Sequence, residues 1–136
     1  MNKFMILAKK EAFKAFKHGD FPVGAVIVKD GKVISKAYNK KCFNNISVYH
    51  AEILAIIKAC KKLNSWRLND CTIYVTLEPC PMCMSAIVES RISKIVYLVN
   101  SNYYDSVNNY KDKIIKEKLD DDLEYLSLIK KCFDRI

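Results

Sequence analysis

The sequence predicts a three-layer α/β/α sandwich, and three observations carry that prediction. Apolar runs of strand length alternate with longer stretches of helical spacing. Two of the runs flank Asp30-Gly31, a tight-turn dipeptide, and read as a hairpin. Two more, Cys71–Val75 and Lys94–Val99, bracket a helical segment of crossover length, which sets them parallel. The 136 residues fit a single domain, 1–136, with one core. At 51% hydrophobic and 11% aromatic, the composition excludes a disordered chain. No apolar run reaches membrane-spanning length.

Taken in order, residues 1–17 set Phe4, Leu7, Ala8, Ala12, Ala15 and Phe16 among five lysines. That mixture makes an amphipathic first helix and not a signal-peptide core. Phe21–Val28 reads as a buried strand and Lys32–Tyr38 as its return. Cys42–Tyr49 is irregular. From His50 to Leu63, Ala51, Ile53, Leu54, Ala55, Ile57 and Cys60 supply an apolar face at helical spacing. Asn64–Asp70 is a loop. Pro79 and Pro81 end the third strand and open a helix, since proline is tolerated where a first-turn N–H would lack a partner.

After Val99 the pattern thins. Asn100–Tyr110 holds three tyrosines and four asparagines and reads as a loop packing its tyrosines on the body. Stacking on bases is the alternative for Tyr103, Tyr104 and Tyr110. Asp112–Leu119 and Asp121–Phe133 read as helices. Leu123, Leu126, Ile129, Phe133 and Ile136 make the inward face of the second.

Net charge is +8, and its distribution matters more than its total. Residues 1–110 carry 16 Lys/Arg against 8 Asp/Glu, whereas residues 111–136 carry 7 of each. The basic excess lies on the part that holds the chemistry, as a polyanionic partner such as RNA requires. With no secretory route, six cysteines stay reduced and the protein is expected in the cytoplasm. Cys42, Cys60, Cys71 and Cys132 stand singly in apolar surroundings and read as small core residues.

Cys80 and Cys83 differ, because Pro-Cys-x-x-Cys at a helix start puts two sulfurs one turn apart on one face. The helix dipole favours them as thiolates. A structural zinc site takes four ligands, and a catalytic one usually takes three from protein and leaves a position for water. His50 opens the other strongly helical stretch and can be the third ligand. Glu52, two residues on, points elsewhere around the helix and suits a proton carrier. Three other readings stay open. Cys42 or Cys71 could close a structural site, the two cysteines could be a redox pair, or the metal could stabilise a non-catalytic RNA-binding protein.

His-x-Glu followed by Pro-Cys-x-x-Cys is a signature of zinc deaminases that act on bases. The chain resembles the cytidine-deaminase-like superfamily, and within it most resembles bacterial tRNA adenosine deaminases. The resemblance rests on Pro22-Val23-Gly24-Ala25, His50-Ala51-Glu52, Trp66-Arg67-Leu68, Cys71 through Cys83, and Ser90-Arg91-Ile92. It implies a mixed sheet of about five strands, a homodimer, one Zn2+ per subunit, and conversion of the wobble adenosine of a tRNA anticodon to inosine. By position, His50, Cys80 and Cys83 would hold the zinc and Glu52 would shuttle protons. Asn39 would hydrogen-bond the flipped-out base, and Ala51 would offer it backbone groups. Two stretches depart from the family pattern, Ile46–Tyr49 and Asn100–Asp105, and both frame the substrate mouth in relatives. A deaminase of a free base or nucleotide, such as guanine, cytosine or a cytidine nucleotide, is the alternative on the same core.

Overall fold

The computed structural model describes residues 1–110 and 112–134. Eleven elements occur along them: α1 (Lys3–Lys17), β1 (Gly24–Lys29), β2 (Lys32–Tyr38), α2 (Lys41–Asn44), α3 (Ala51–Leu63), β3 (Cys71–Leu77), α4 (Pro81–Glu89), β4 (Lys94–Val99), α5 (Ser106–Asn109), β5 (Ile115–Lys118) and α6 (Leu123–Asp134). The strands form one sheet in the order β2-β1-β3-β4-β5. β1 runs antiparallel to both β2 and β3, whereas β3, β4 and β5 are parallel. The hairpin and the parallel crossover therefore form as the sequence predicts, and the sheet is mixed with five strands.

Alternation along the central strands makes the layers. Ala25 and Ile27 of β1 and Ile95 and Tyr97 of β4 face a cluster with Ala51, Ala55 and Ala59 of α3 and Met84 and Ile87 of α4. Val26, Val28, Val96 and Leu98 face the other way, onto Met5, Ala8 and Ala12 of α1 and Tyr125 and Leu128 of α6. Strands buried on both faces carry continuous apolar runs, as these do. α1 approaches closely enough that a Cβ on Gly24 would stand 2.0 Å from the Ala8 carbonyl oxygen and 2.7 Å from the Ala12 nitrogen. α6 is tied down by its buried Tyr125. The Tyr125 hydroxyl donates to the Pro22 carbonyl at 2.7 Å and accepts from Thr76 Oγ1 at 2.9 Å.

Four expectations change. Ile115–Lys118, expected as helix, is an exposed edge strand paired with β4. The segment is short and charged, and parallel pairing with β4 outweighs its weak local preference for helix. Cys42 is exposed, because α2 turns it outward, whereas Cys71 and Cys132 are buried. Tyr103 and Tyr104 are exposed, while Tyr110 packs inward with its hydroxyl 2.7 Å from Ser85 Oγ. Leu123 and Phe133, placed on the inward face of the last helix, are exposed at 82% and 41%, because the face that packs on the sheet is carried by Tyr125 and Leu128; Ile136 lies outside the described residues.

Candidate metal centre and its cavity

Two helices begin at the same point. His50 is the residue before α3 and Cys80 the residue before α4, both with extended backbone and neither with a side-chain capping bond. Each carbonyl starts its helix, accepting from Leu54 N and Met84 N at 3.0 Å. Pro81 stands at the first position of α4, which fixes the turn and places Cys83 on the face of Cys80. The His50, Cys80 and Cys83 donor atoms lie within 4.8 Å of one another. His50 Nδ1 is 3.8 Å from Cys80 Sγ and 3.5 Å from Cys83 Sγ. Zinc–sulfur bonds of about 2.3 Å and zinc–nitrogen bonds of about 2.0 Å give tetrahedral S···N edges of about 3.5 Å. Both the donor types and their spacing fit zinc. Neither Cys42 nor Cys71 joins the group among the described residues, so no fourth protein ligand closes it.

The charge states support the same reading. The Cys80 thiol is pulled down to about 4, first by a hydrogen bond from Cys83, then, against burial, by His50. Cys83 is pushed up by the same pairing and by burial. His50 is raised, chiefly by its bond to Cys80. The pairing thus favours a thiolate at Cys80, the form in which a cysteine ligates a metal. Glu52, in the first turn of α3, is 3% exposed. Burial pushes its carboxyl up to about 7, against a hydrogen bond from its own backbone. Its Oε1 is buried with no hydrogen-bond partner. A buried carboxylate oxygen without a partner is costly, and Glu52 lines the cavity beside the His50 and Cys80 donors.

A cavity of about 420 Å³ opens above this group. His50, Glu52 and Cys80 form its floor, and Asn39 lies on its wall. Ala51 N donates to Asn39 Oδ1 at 2.7 Å, which leaves the Asn39 Nδ2 group for a ligand. Ala51 itself is fully buried and its N–H is already engaged. Aromatic and aliphatic groups from both ends of the chain complete the wall, among them Phe21, Tyr103, Leu126, Ile129 and Phe133.

Two acidic residues with no role assigned from the sequence hold the rim. Glu78, 5% exposed, accepts from Ser101 N at 3.1 Å and Val107 N at 3.3 Å. Asp20, 2% exposed, accepts from Cys42 N at 2.8 Å and Phe43 N at 3.0 Å. For Glu78 a signal was present: a carboxylate at the end of an apolar strand, next to proline, needs a buried partner. Asp20 carries no such mark.

Residues 1–99 match the cytidine and deoxycytidylate deaminase zinc-binding region. A tRNA-specific adenosine deaminase of Bacillus subtilis is 50% identical over 94 residues, 69% of this chain and 58% of that protein. The chain thus spans less than two thirds of that relative's length. A solved structure from work on A-to-I editing by tRNA:A34 deaminases at the wobble position superposes with a TM-score of 0.81 at 34% identity, covering 85% of this chain and 96% of that one. The guanine deaminase of Bacillus subtilis superposes at 0.71 with 32% identity, covering 98% and 95%. A His/Cys/Cys group at zinc spacing, a carboxylate beside it and a match over the first 99 residues give one conclusion: the chain belongs to the zinc-binding cytidine and deoxycytidylate deaminase family.

Proposed function

We propose that residues 1–136 act as one hydrolytic deaminase that converts the wobble adenosine of a tRNA anticodon to inosine. The observation that carries this reading is the unpartnered Glu52 oxygen on a cavity floor beside three zinc-spaced donors. A structural zinc site has no use for such a carboxylate.

In this reading His50, Cys80 and Cys83 hold zinc, which when bound brings a water's ionisation to about neutral pH. Glu52 takes a proton from the attacking water at Oε1. The water oxygen bonds to the ring carbon that carries the amine, the carbon–nitrogen bond breaks, and Glu52 returns the proton to the departing ammonia. Asn39 orients the base through Nδ2, and the Ala51 N–H holds Asn39 in that pose. Burial of Glu52 beneath the cavity shields its carboxyl from bulk water and strengthens its contacts. The names of the relatives and the basic excess of residues 1–110 support RNA as substrate. By family likeness the assembly is a homodimer working in the cytoplasm. No helix among the described residues is long and apolar enough to cross a membrane.

A second reading, a free-purine deaminase, is favoured by the superposition on a guanine deaminase over nearly the whole chain. Ammonia release separates the two. Zinc-loaded protein is offered tRNA with adenosine at the wobble position and, in parallel, guanine, cytosine, adenosine and cytidine nucleotides. Inosine in the tRNA with the monomers untouched is the expected result. Release from a monomer alone moves the function to salvage of bases. Zinc-loaded protein that releases ammonia from none of them is a non-catalytic RNA-binding protein.

A further inference from the structure

Beside the cavity, one surface combines features that the deamination chemistry leaves unused. Phe43 is 62% exposed. Its ring rests against His18 at 5.2 Å, and the His18 imidazole stacks on Tyr38 at 5.7 Å with 10° between planes. Lys40 Nζ stands 5.0 Å over the Tyr38 ring. The backbone beneath is fixed. Asp20 holds the Cys42 and Phe43 amides, Asn44 N bonds Lys40 O, and Ile46 N bonds Lys41 O. An exposed aromatic ring on a backbone so constrained is a preformed contact, with little ordering left to do on binding.

The exposed charges around it are mostly basic, and the nearby carboxylate Glu11 is buried and paired with Lys14. Lys36, Lys40, Lys41 and Lys58 make no ion pair among the described residues. Lys58 is held below its ordinary range by burial first and then by Lys40, with Lys36 adding. The carboxylate that reaches this loop, Asp20, is buried and spent on two amides. Lys41 and Asn39 line the cavity, so the platform begins two residues from its wall. A free base filling the cavity has nothing that extends to Phe43. A two-fold contact between copies centred here would set lysines against lysines, which disfavours it. A polyanion with unstacked bases matches both the rings and the charges.

We propose that Phe43, backed by His18 and Tyr38, is the stacking platform for the base next to the deaminated nucleotide, with Lys40 and Lys41 on the phosphates joining the two. The proposal rests on the RNA reading above and adds where the neighbouring nucleotide goes.

The test is binding of a labelled anticodon stem-loop RNA to zinc-loaded protein, read by fluorescence anisotropy. Phe43→Ala weakens binding by about tenfold or more, the worth of one stacked base, and Phe43→Trp restores it. An RNA with an abasic site beside the target adenosine costs the wild type a similar factor and costs Phe43→Ala nothing further. The proposal is overturned if Phe43→Ala binds as wild type, or if the abasic penalty persists undiminished in that variant. It is equally overturned if the variant's only change is a smaller particle on sizing, which would mark a protein contact. Failure of the underlying reading looks different: wild type that binds the RNA without forming inosine. A wild type that does neither removes both.

Discussion

The floor and the rim of the cavity are held in different ways. The floor is built by secondary structure: His50 and Glu52 ride on α3, Cys80 and Cys83 on α4, and both helices pack on the sheet through fully buried residues. The rim consists of two connecting segments, each with a short helix and each gripped by one buried carboxylate. Asp20 takes two adjacent amides, at Cys42 and Phe43, and fixes a single turn. Glu78 takes amides six residues apart, at Ser101 and Val107, and brackets a whole segment. The contrast separates chemistry from selection. In the proposed function the floor would fix which bond breaks, and the rim would fix what reaches it.

The contrast is broken or sharpened first at Glu52. Glu52→Gln lowers turnover by about 10²- to 10⁴-fold on every substrate while zinc content stays at the wild-type level. Unequal losses on RNA and free bases would mean that the floor also selects. The same pair of proteins has a pH signature once zinc is chelated. Folded Glu52 keeps its proton to about pH 7, while the unfolded chain releases it near 4.5. Wild type therefore loses stability relative to Glu52→Gln as pH rises across that window, and the gap levels off above it. Thermal melts of both proteins at a series of pH values measure the difference.

Next comes the wider clamp. Glu78→Ala frees one buried and one half-buried amide and costs about 1–3 kcal/mol in denaturant melts. It also shifts the ratio of RNA to free-base turnover, since Tyr103 and Tyr104 lie on the segment it releases. A variant that loses stability with that ratio unchanged would show the segment to be mere packing. The smallest effect is expected at Asp20→Asn, which keeps one acceptor. About 1–2 kcal/mol is lost, and RNA affinity falls while turnover of a free base does not.

The same division governs what could be read from the sequence. The floor was legible because its signals are local. Pro81 and the Cys-x-x-Cys spacing fix a helix start by themselves, and His50 and Glu52 stand at the start of a strongly periodic stretch. The rim was not, because its clamps act at long range, from residue 78 to 101 and 107 and from 20 to 42 and 43. No spacing rule connects a carboxylate to a backbone amide two dozen residues away. β5 failed for a related reason. Ile115–Lys118 is short, charged and exposed, and only pairing with β4 makes it a strand. The layers, by contrast, followed from the Asp30-Gly31 hairpin and the crossover between β3 and β4, whose apolar runs and spacing need no partner to be seen.

Gly24 carries a lesson for anyone who would redesign this cavity. The space where its side chain would be is filled by the backbone of α1. Even alanine there has to push the helix or the strand aside, at a cost of about 1–3 kcal/mol or more. The strand that would move leads back to Val23, whose carbonyl accepts from Asn39 N at 3.2 Å. A methyl group buried on the far face of the sheet would thus be felt at the cavity wall, at Asn39. Mutational libraries confined to cavity-lining positions would never sample that lesion, and those that randomise Gly24 would misfile it as a stability defect.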